Sequence, residues 1–419
     1  MKKSTNNGAL FYRDTSVAKE VTWGQLLLDL AQMDTFTPYC KTDDYYQIFL
    51  QLIFSMLTSR EITLLDADFS DEEVVKLLGH NELATYELPT GSNCPDIPKT
   101  PTSLIEKLQN TGQDWSLSLY TSGTTGLPKR VKHGLTSITR QVKYHDDTAP
   151  RKWGFAYNPT HMAGLQVFYQ ALLNGDTMIR LFGFPPETIR EEMLSQQVTH
   201  ISATPTFYRL HFNGEVIFES VRRATSGGEK MDVQLSERLQ TLFPKATVIN
   251  VYASTEAGAL FAATGDIFSI REEVRPYVKV QKDELLIHHS LLGEMEIDTH
   301  EWYASGDVVE VINVDPLTFR FVSRQSDIIN IGGYNVVPLE VEECLKKLTG
   351  VVDASVYAKS NSVLGNILCA EVVTRDASLT EADLRKGLMS SLQEFKIPRL
   401  IKFVEKIGMT RTGKVKRSQ

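Results

Sequence analysis

Hydrophobic and polar positions alternate with two periods along this chain, and the switches between them predict its elements. Residues 18–30 (AKEVTWGQLLLDL) read as a short strand followed by an amphipathic helix. Tyr45–Ser59 is apolar on nearly every side and predicts a buried helix, with a strand at Glu61–Leu65. Residues 86–114, rich in Pro, Gly, Asn, Thr and Asp, are expected to be a surface connection. From Trp115 onward the pattern is regular. Strands are predicted at Leu117–Tyr120, Trp153–Tyr157, Thr177–Leu181 and His200–Ala203, with helices at His161–Leu173 and Glu187–Gln197. That alternation is the signature of an α/β unit with largely parallel strands. Further strands are expected at Val248–Val251, Glu284–His288 and Val308–Val311, the last two in a small antiparallel element.

The composition changes near residue 325. Beyond it the pattern predicts a helix at Pro338–Leu345, strands at Val351–Tyr357 and Ile367–Val373, a helix at Thr380–Leu392 and a strand at Leu400–Val404. Thr380 followed by Asp383 is a helix-capping arrangement. The expected organisation is a large α/β domain over residues 1–325 and a small, mobile α+β domain over 326–419. A length of 419 residues carries the same implication, because domains of about 150 residues make two or three of them.

Charge and cysteine content narrow the function. The 44 basic and 52 acidic side chains give a net charge of −8, which argues against a whole-surface grip on nucleic acid or anionic lipid. The run from Tyr45 to Leu57 contains Gln47 and Gln51 and is too short to cross a bilayer, so no membrane insertion is expected. The four cysteines form no CxxC pair, so neither a disulfide framework nor a structural zinc site is expected. With no apolar stretch behind the first lysines to act as a secretory signal, the expected location is cytoplasmic.

The strongest chemical signal is Tyr120-Thr121-Ser122-Gly123-Thr124-Thr125-Gly126-Leu127-Pro128-Lys129, directly after a strand. Glycines let backbone N–H groups approach closely, hydroxyls donate further hydrogen bonds and lysine adds a point charge, a combination suited to a polyanion. It is not a Walker A loop, since GxxxxGK[ST] is absent. The string resembles the phosphate loop of the adenylate-forming superfamily, which includes acyl-CoA synthetases, adenylation domains of peptide synthetases and luciferase. Other segments resemble that superfamily's motifs in the same order: Asn250-Val251-Tyr252-Ala253-Ser254-Thr255-Glu256, Tyr303-Ala304-Ser305-Gly306-Asp307, Arg324 to Glu342, and Thr412-Gly413-Lys414. The stretch RQSDIINIGGYNVVP is most similar to the o-succinylbenzoate–CoA ligase branch. Ala253 and Ser323 stand where relatives usually carry glycine.

The resemblance implies an ATP-dependent acid–thiol ligase that forms an acyl-adenylate and then an acyl thioester. Thr121, Ser122, Gly123, Thr124, Thr125, Gly126 and Lys129 would hold the β- and γ-phosphates of ATP. Glu256 would help to bind Mg²⁺, and Thr255 lies beside it. Tyr252 would pack on the adenine, with Gly227, Gly228 and Glu229 on the same side. Asp307 would accept the ribose hydroxyls, and Arg324 would contact the nucleotide. Lys414 would reach the α-phosphate, with Thr121, Lys129 and Glu256 also serving the chemistry. Gly332 and Gly333 would border the thiol channel when the small domain swings about Gln325–Asp327. His161, Gly164, Thr225 and Ala257 are expected at the acyl pocket. Thr160, His161 and Met162 offer no carboxylate to an ammonium group, which favours a small aryl or short acyl acid lacking an α-amino group. The acceptor is coenzyme A or the phosphopantetheine of a separate carrier protein. A protein that binds nucleotide or acid without turnover is the expectation from a different class.

Overall fold

The computed structural model describes residues 5–78, 86–87, 96–112, 114–121, 129–147, 149–212, 214–295, 301–331, 334–361 and 365–409. Its largest sheet has eight strands, in the order Gly258–Ala263, Thr247–Ser254, Arg223–Gly227, His200–Ala203, Lys152–Phe155, Thr177–Arg180, Leu10–Asp14, Lys19–Thr22. The six inner strands run parallel and the two edge strands antiparallel. A second, five-stranded sheet contains Tyr39–Lys41, Ile62–Leu65, Ser116–Thr121, Lys129–Gly134 and Glu294–Met295. The two sheets share one large hydrophobic cluster built around Trp23, Phe49, Phe54, Trp115 and Phe168.

The predicted buried helix is present at Tyr45–Leu57, started by Asp44, whose carboxylate accepts the N–H groups of Tyr46 and Gln47. Ten of its 13 residues are buried, as expected of a segment with no polar face. Strand and helix at Lys19–Thr22 and Trp23–Ala31 follow the pattern too. The stretch expected to be a surface connection differs. It holds a helix at Pro101–Gln109, capped by reciprocal Thr100 and Ser103 hydrogen bonds, with Leu104 and Leu108 fully buried in the main cluster. A proline at the first helical position and a hydroxyl cap start a helix as well as they mark a turn.

The small antiparallel element is a five-stranded sheet ordered Ile267–Ser269, Leu317–Arg324, Trp302–Val314, Glu284–His288, Val278–Gln281. After the single 3₁₀ turn Gln325–Asp327 comes an α+β unit with a hydrophobic cluster of its own. Helices Pro338–Lys346 and Glu381–Met389 accompany strands Val351–Asn361, Gly365–Thr374 and Leu400–Phe403. Thr380 caps the second helix with Asp383, as the spacing predicted.

Candidate active site

The parallel sheet presents one face to a cavity of about 680 Å³. Because side chains alternate along a strand, the lining positions recur every second residue: Ser202 and Thr204, Arg223, Thr225 and Gly227, Ile249, Val251 and Ala253. Helix Met162–Leu172 forms the opposite wall through Met162, Ala163, Gln166, Val167 and Gln170. His161 lines the cavity where this helix begins. Gly227 and Gly228 line it at the end of their strand. Gly228 has φ +83°, a conformation that glycine adopts without penalty, and a side chain on Gly227 would sit 3.2 Å from the Val251 carbonyl.

The strand Thr247–Ser254 serves two sites at once. Val251 and Ala253 face the cavity, while the Tyr252 hydroxyl between them donates to Asp307 Oδ2. Asp307 is almost wholly buried, and its other oxygen lies 2.9 Å from Arg324 Nε. The two residues are cross-strand partners, so sheet register places the pair. Burial, then Asp307, raises the Tyr252 phenol far above its ordinary range. Burial pulls the Arg324 guanidinium down, but Asp307, Tyr252 and Glu256 outweigh it and the net shift is upward.

Thr255 and Glu256 follow directly and are held by their backbone. The Thr255 carbonyl faces His133 Nε2 at 2.8 Å, and the Glu256 carbonyl accepts the Gly293 N–H at 2.7 Å. His133 belongs to the strand Lys129–Gly134, so these bonds fix the carboxylate motif relative to that strand. Burial lowers the His133 pKa and keeps the ring neutral. On the same strand Arg130 and Lys132 are both engaged by Glu61, at 2.5 and 2.9 Å. Lys129 is exposed and makes no ion pair among the described residues, which leaves its ammonium available to an anion.

Other predicted positions fall as follows. Thr225 lines the cavity, whereas Gly164 and Ala257 do not. Gly164 packs so closely that a Cβ there would lie 2.3 Å from the Asn158 carbonyl oxygen, and Ala257 is buried beside Leu260 and Phe261. The Glu229 carboxylate accepts the N–H and hydroxyl of Thr206, at 2.9 and 2.7 Å, bracing helix Pro205–His211. Ser122, Gly123, Thr124, Thr125, Gly126, Gly332, Gly333 and Lys414, and the side chain of Thr121, lie outside the described residues.

Sequence reasoning missed Asp66. It follows the strand Ile62–Leu65, accepts from the Thr160 hydroxyl and lies 3.2 Å from His161 Nε2. A carboxylate is therefore present behind His161 after all, 94 positions before the Thr160 hydroxyl that donates to it. No local motif announces it.

Among the described residues no three His, Cys, Asp or Glu side chains group as a metal site. A Mg²⁺ ion held by one carboxylate and by nucleotide phosphates needs no such group, and Glu256 suits that arrangement as a hard oxygen donor. No helix among the described residues is long and apolar enough to cross a membrane.

The AMP-binding enzyme family matches residues 52–280, more than half of the chain, and its AMP-binding enzyme C-terminal domain matches residues 340–414. The chain belongs to the AMP-binding enzyme family. It is 28% identical over 339 residues to a methyl-dioxo-octahydroindenyl-propanoyl:CoA ligase of Mycobacterium tuberculosis, a match covering 73% of this chain and 66% of the relative, just short of two thirds of that protein. A 2-succinylbenzoate–CoA ligase of Staphylococcus aureus is 24% identical, covering 94% of this chain and 85% of that one. In fold, the chain is similar to the o-succinylbenzoate coenzyme A synthetase of Bacillus subtilis in complex with ATP and magnesium ion. The TM-score is 0.69 at 19% identity, over 98% of this chain and 95% of that one.

Proposed function

We propose that this AMP-binding enzyme family member is a Mg²⁺- and ATP-dependent acid–thiol ligase of the AMP-forming type. It joins a small carboxylic acid to ATP as an acyl-adenylate and passes the acyl group to coenzyme A. One observation carries the reading: a single strand, Thr247–Ser254, lends Val251 and Ala253 to an organic-sized cavity and Tyr252 to the pair of buried Asp307 and exposed Arg324. A nucleotide seated at that pair and an acid seated in that cavity meet at the strand's end, beside Thr255 and Glu256. Holding two reactants in line lowers a bimolecular barrier by roughly 7–11 kcal/mol.

In this reading Lys129 and the loop before it take the β- and γ-phosphates. Glu256 holds Mg²⁺, which neutralises phosphate charge when bound. Asp307 accepts the ribose hydroxyls, and Lys414 arrives from a small domain over 326–419 that moves about Gln325–Asp327 relative to a large domain over 1–325. The 3₁₀ turn at that point and the separate hydrophobic cluster beyond it support the division. Coenzyme A is the proposed acceptor because the relatives named above are CoA ligases. Its substrates suit a cytoplasmic enzyme.

The deciding measurement is ATP-dependent hydroxamate formation across a panel of aryl, short-chain and dicarboxylic acids. Trapping of an activated acyl group with at least one acid is expected. ATP binding with neither hydroxamate nor pyrophosphate exchange for any acid would leave a nucleotide-binding protein without turnover.

A further inference from the structure

The far end of the cavity is basic. Arg223 begins the strand that Gly227 ends, and both face the cavity, with Thr225 between them. At about 3.3 Å of rise per residue the two ends lie roughly 13 Å apart. Register aligns Arg223 with His200 on the neighbouring strand and His200 with Trp153 on the next, so the three form one row across the sheet.

Among the described residues two cations of the cavity wall have no ion pair, Lys143, which is exposed, and Arg223, which is half-buried in this row. Arg151 is paired with Asp147 at 2.6 Å. Asp176 accepts from the Trp153 indole at 3.2 Å and from the Arg151 N–H at 2.9 Å, and faces His145 at 3.1 Å. His200 is no anion and is held neutral: burial first, then Arg151 and Arg223, push its pKa down to about 3. Among the described residues Arg223 makes no ion pair and no side-chain hydrogen bond, although it is half-buried on a cavity wall. A guanidinium in that position offers a planar fork of donors to a carboxylate. Half-buried on that wall, the guanidinium has solvent but no carboxylate among the described residues to balance it.

We propose that Arg223 is a specificity-determining residue and that the acid carries a second anionic group at its far end, bound by this guanidinium. The proposal rests on the ligase reading for what happens at the other end, where the first carboxylate is activated near His161 and Thr255. The substrate class is then a long dicarboxylic acid, aliphatic or with a ring beside Trp153. It is not a short monoacid.

The test compares sebacic acid with decanoic acid, its monoacid of equal length, and with the shorter adipic acid, by acid-dependent pyrophosphate exchange in wild type, Arg223→Met and Arg223→Lys. Wild type is expected to favour sebacate over decanoate in kcat/KM by on the order of 10- to 100-fold, the usual worth of a charge-assisted hydrogen bond. Arg223→Met should collapse that ratio at least tenfold, and Arg223→Lys should recover part of it. Adipate should be poor throughout. A wild-type preference for decanoate, or a ratio untouched by Arg223→Met, overturns the proposal and leaves the ligase reading standing. Absence of exchange with every acid removes the ligase reading instead. The thermal upshift given by sebacate alone then decides the anion site, which stands if Arg223→Met abolishes the shift and falls if the variant keeps it.

Discussion

Lys230 Nζ lies 2.9 Å from Glu343 Oε1, joining the segment after Gly227-Gly228-Glu229 to helix Pro338–Lys346 of the C-terminal unit. Beside this pair, Arg209 and Asp232 face each other on one side at 2.5 Å, and Lys346 and Asp353 on the other at 3.2 Å. Burial lowers the Arg209 pKa, but Asp232, Asp353 and Glu229 more than reverse it, so its charge is stabilised from both units. Glu343→Lys would set two ammonium groups against each other. A partly exposed pair is worth about 1 kcal/mol, so the half-reaction that uses this arrangement should slow by about fivefold relative to the other. Measuring pyrophosphate exchange and thioester formation from a supplied acyl-adenylate gives that ratio. An unchanged ratio would show that the pair does not hold the two units in a working arrangement.

Asp307 answers to both Tyr252 and Arg324, so an amide in its place loses the acceptor proposed for the ribose and leaves Arg324 short of its anion. Asp307→Asn is expected to raise the KM for ATP by about 10- to 100-fold, while Tyr252→Phe, which removes one hydrogen bond, raises it several-fold less. Acid KM should change little in either variant. An equal rise for acid and ATP would mean a general collapse of the strand.

In the proposed mechanism Lys414 serves only the first half-reaction. Lys414→Ala should depress acid-dependent pyrophosphate exchange on the order of 10²–10³-fold, the scale of losing one preorganised positive group at developing charge. Thioester formation from a supplied acyl-adenylate should persist. Comparable loss in both assays would contradict the swing of the small domain.

Three histidines, His133 and His200 buried and His211 half-buried, set the acid limb of stability. Burial pushes His200 down to about 3 and His211 to about 4, and it lowers His133 as well. Each folded pKa lies below the ordinary value of about 6.5, so below that pH the unfolded chain binds more protons than the folded one. The stability they contribute is complete above about 6.5 and drains away as pH falls toward the folded values. At pH 5 the His200 contribution alone amounts to a loss of roughly 2 kcal/mol. Urea midpoints at pH 7 and 5 should differ accordingly, and His200→Gln should shrink the difference. A midpoint independent of pH over this window would mean that His200 accepts a proton in the folded protein.

Elements with a strong apolar period were readable in advance: helix Tyr45–Leu57, strand His200–Ala203 and the capped helix after Thr380. Strand Arg223–Gly227, sequence RATSG, was not, although it sits in the middle of the main sheet. Its cavity-facing positions are Arg223, Thr225 and Gly227, so the side chains that make it useful to a ligand remove the hydrophobic signal of a buried strand. Tyr252, Asp307 and Arg324, proposed for the nucleotide, could be named from motif order, yet the pairing of Asp307 with Arg324 depends on sheet register that no short motif encodes. Asp66 behind His161 escaped for a related reason: it follows a strand of the second sheet, while His161 follows a strand of the main one. The helix Pro101–Gln109 was hidden by composition, since its proline and threonines look like a turn until Leu104 and Leu108 are seen inside the core.

The cavity spans a strand from its first residue to its last, and this separates two kinds of change that evolution could make. On the proposed reading, replacing a side chain where the parallel strands begin would redefine which molecule is accepted while leaving Thr255 and Glu256, beyond the end of one of those strands, untouched. A scaffold divided in that way can be retooled for new cargo one position at a time.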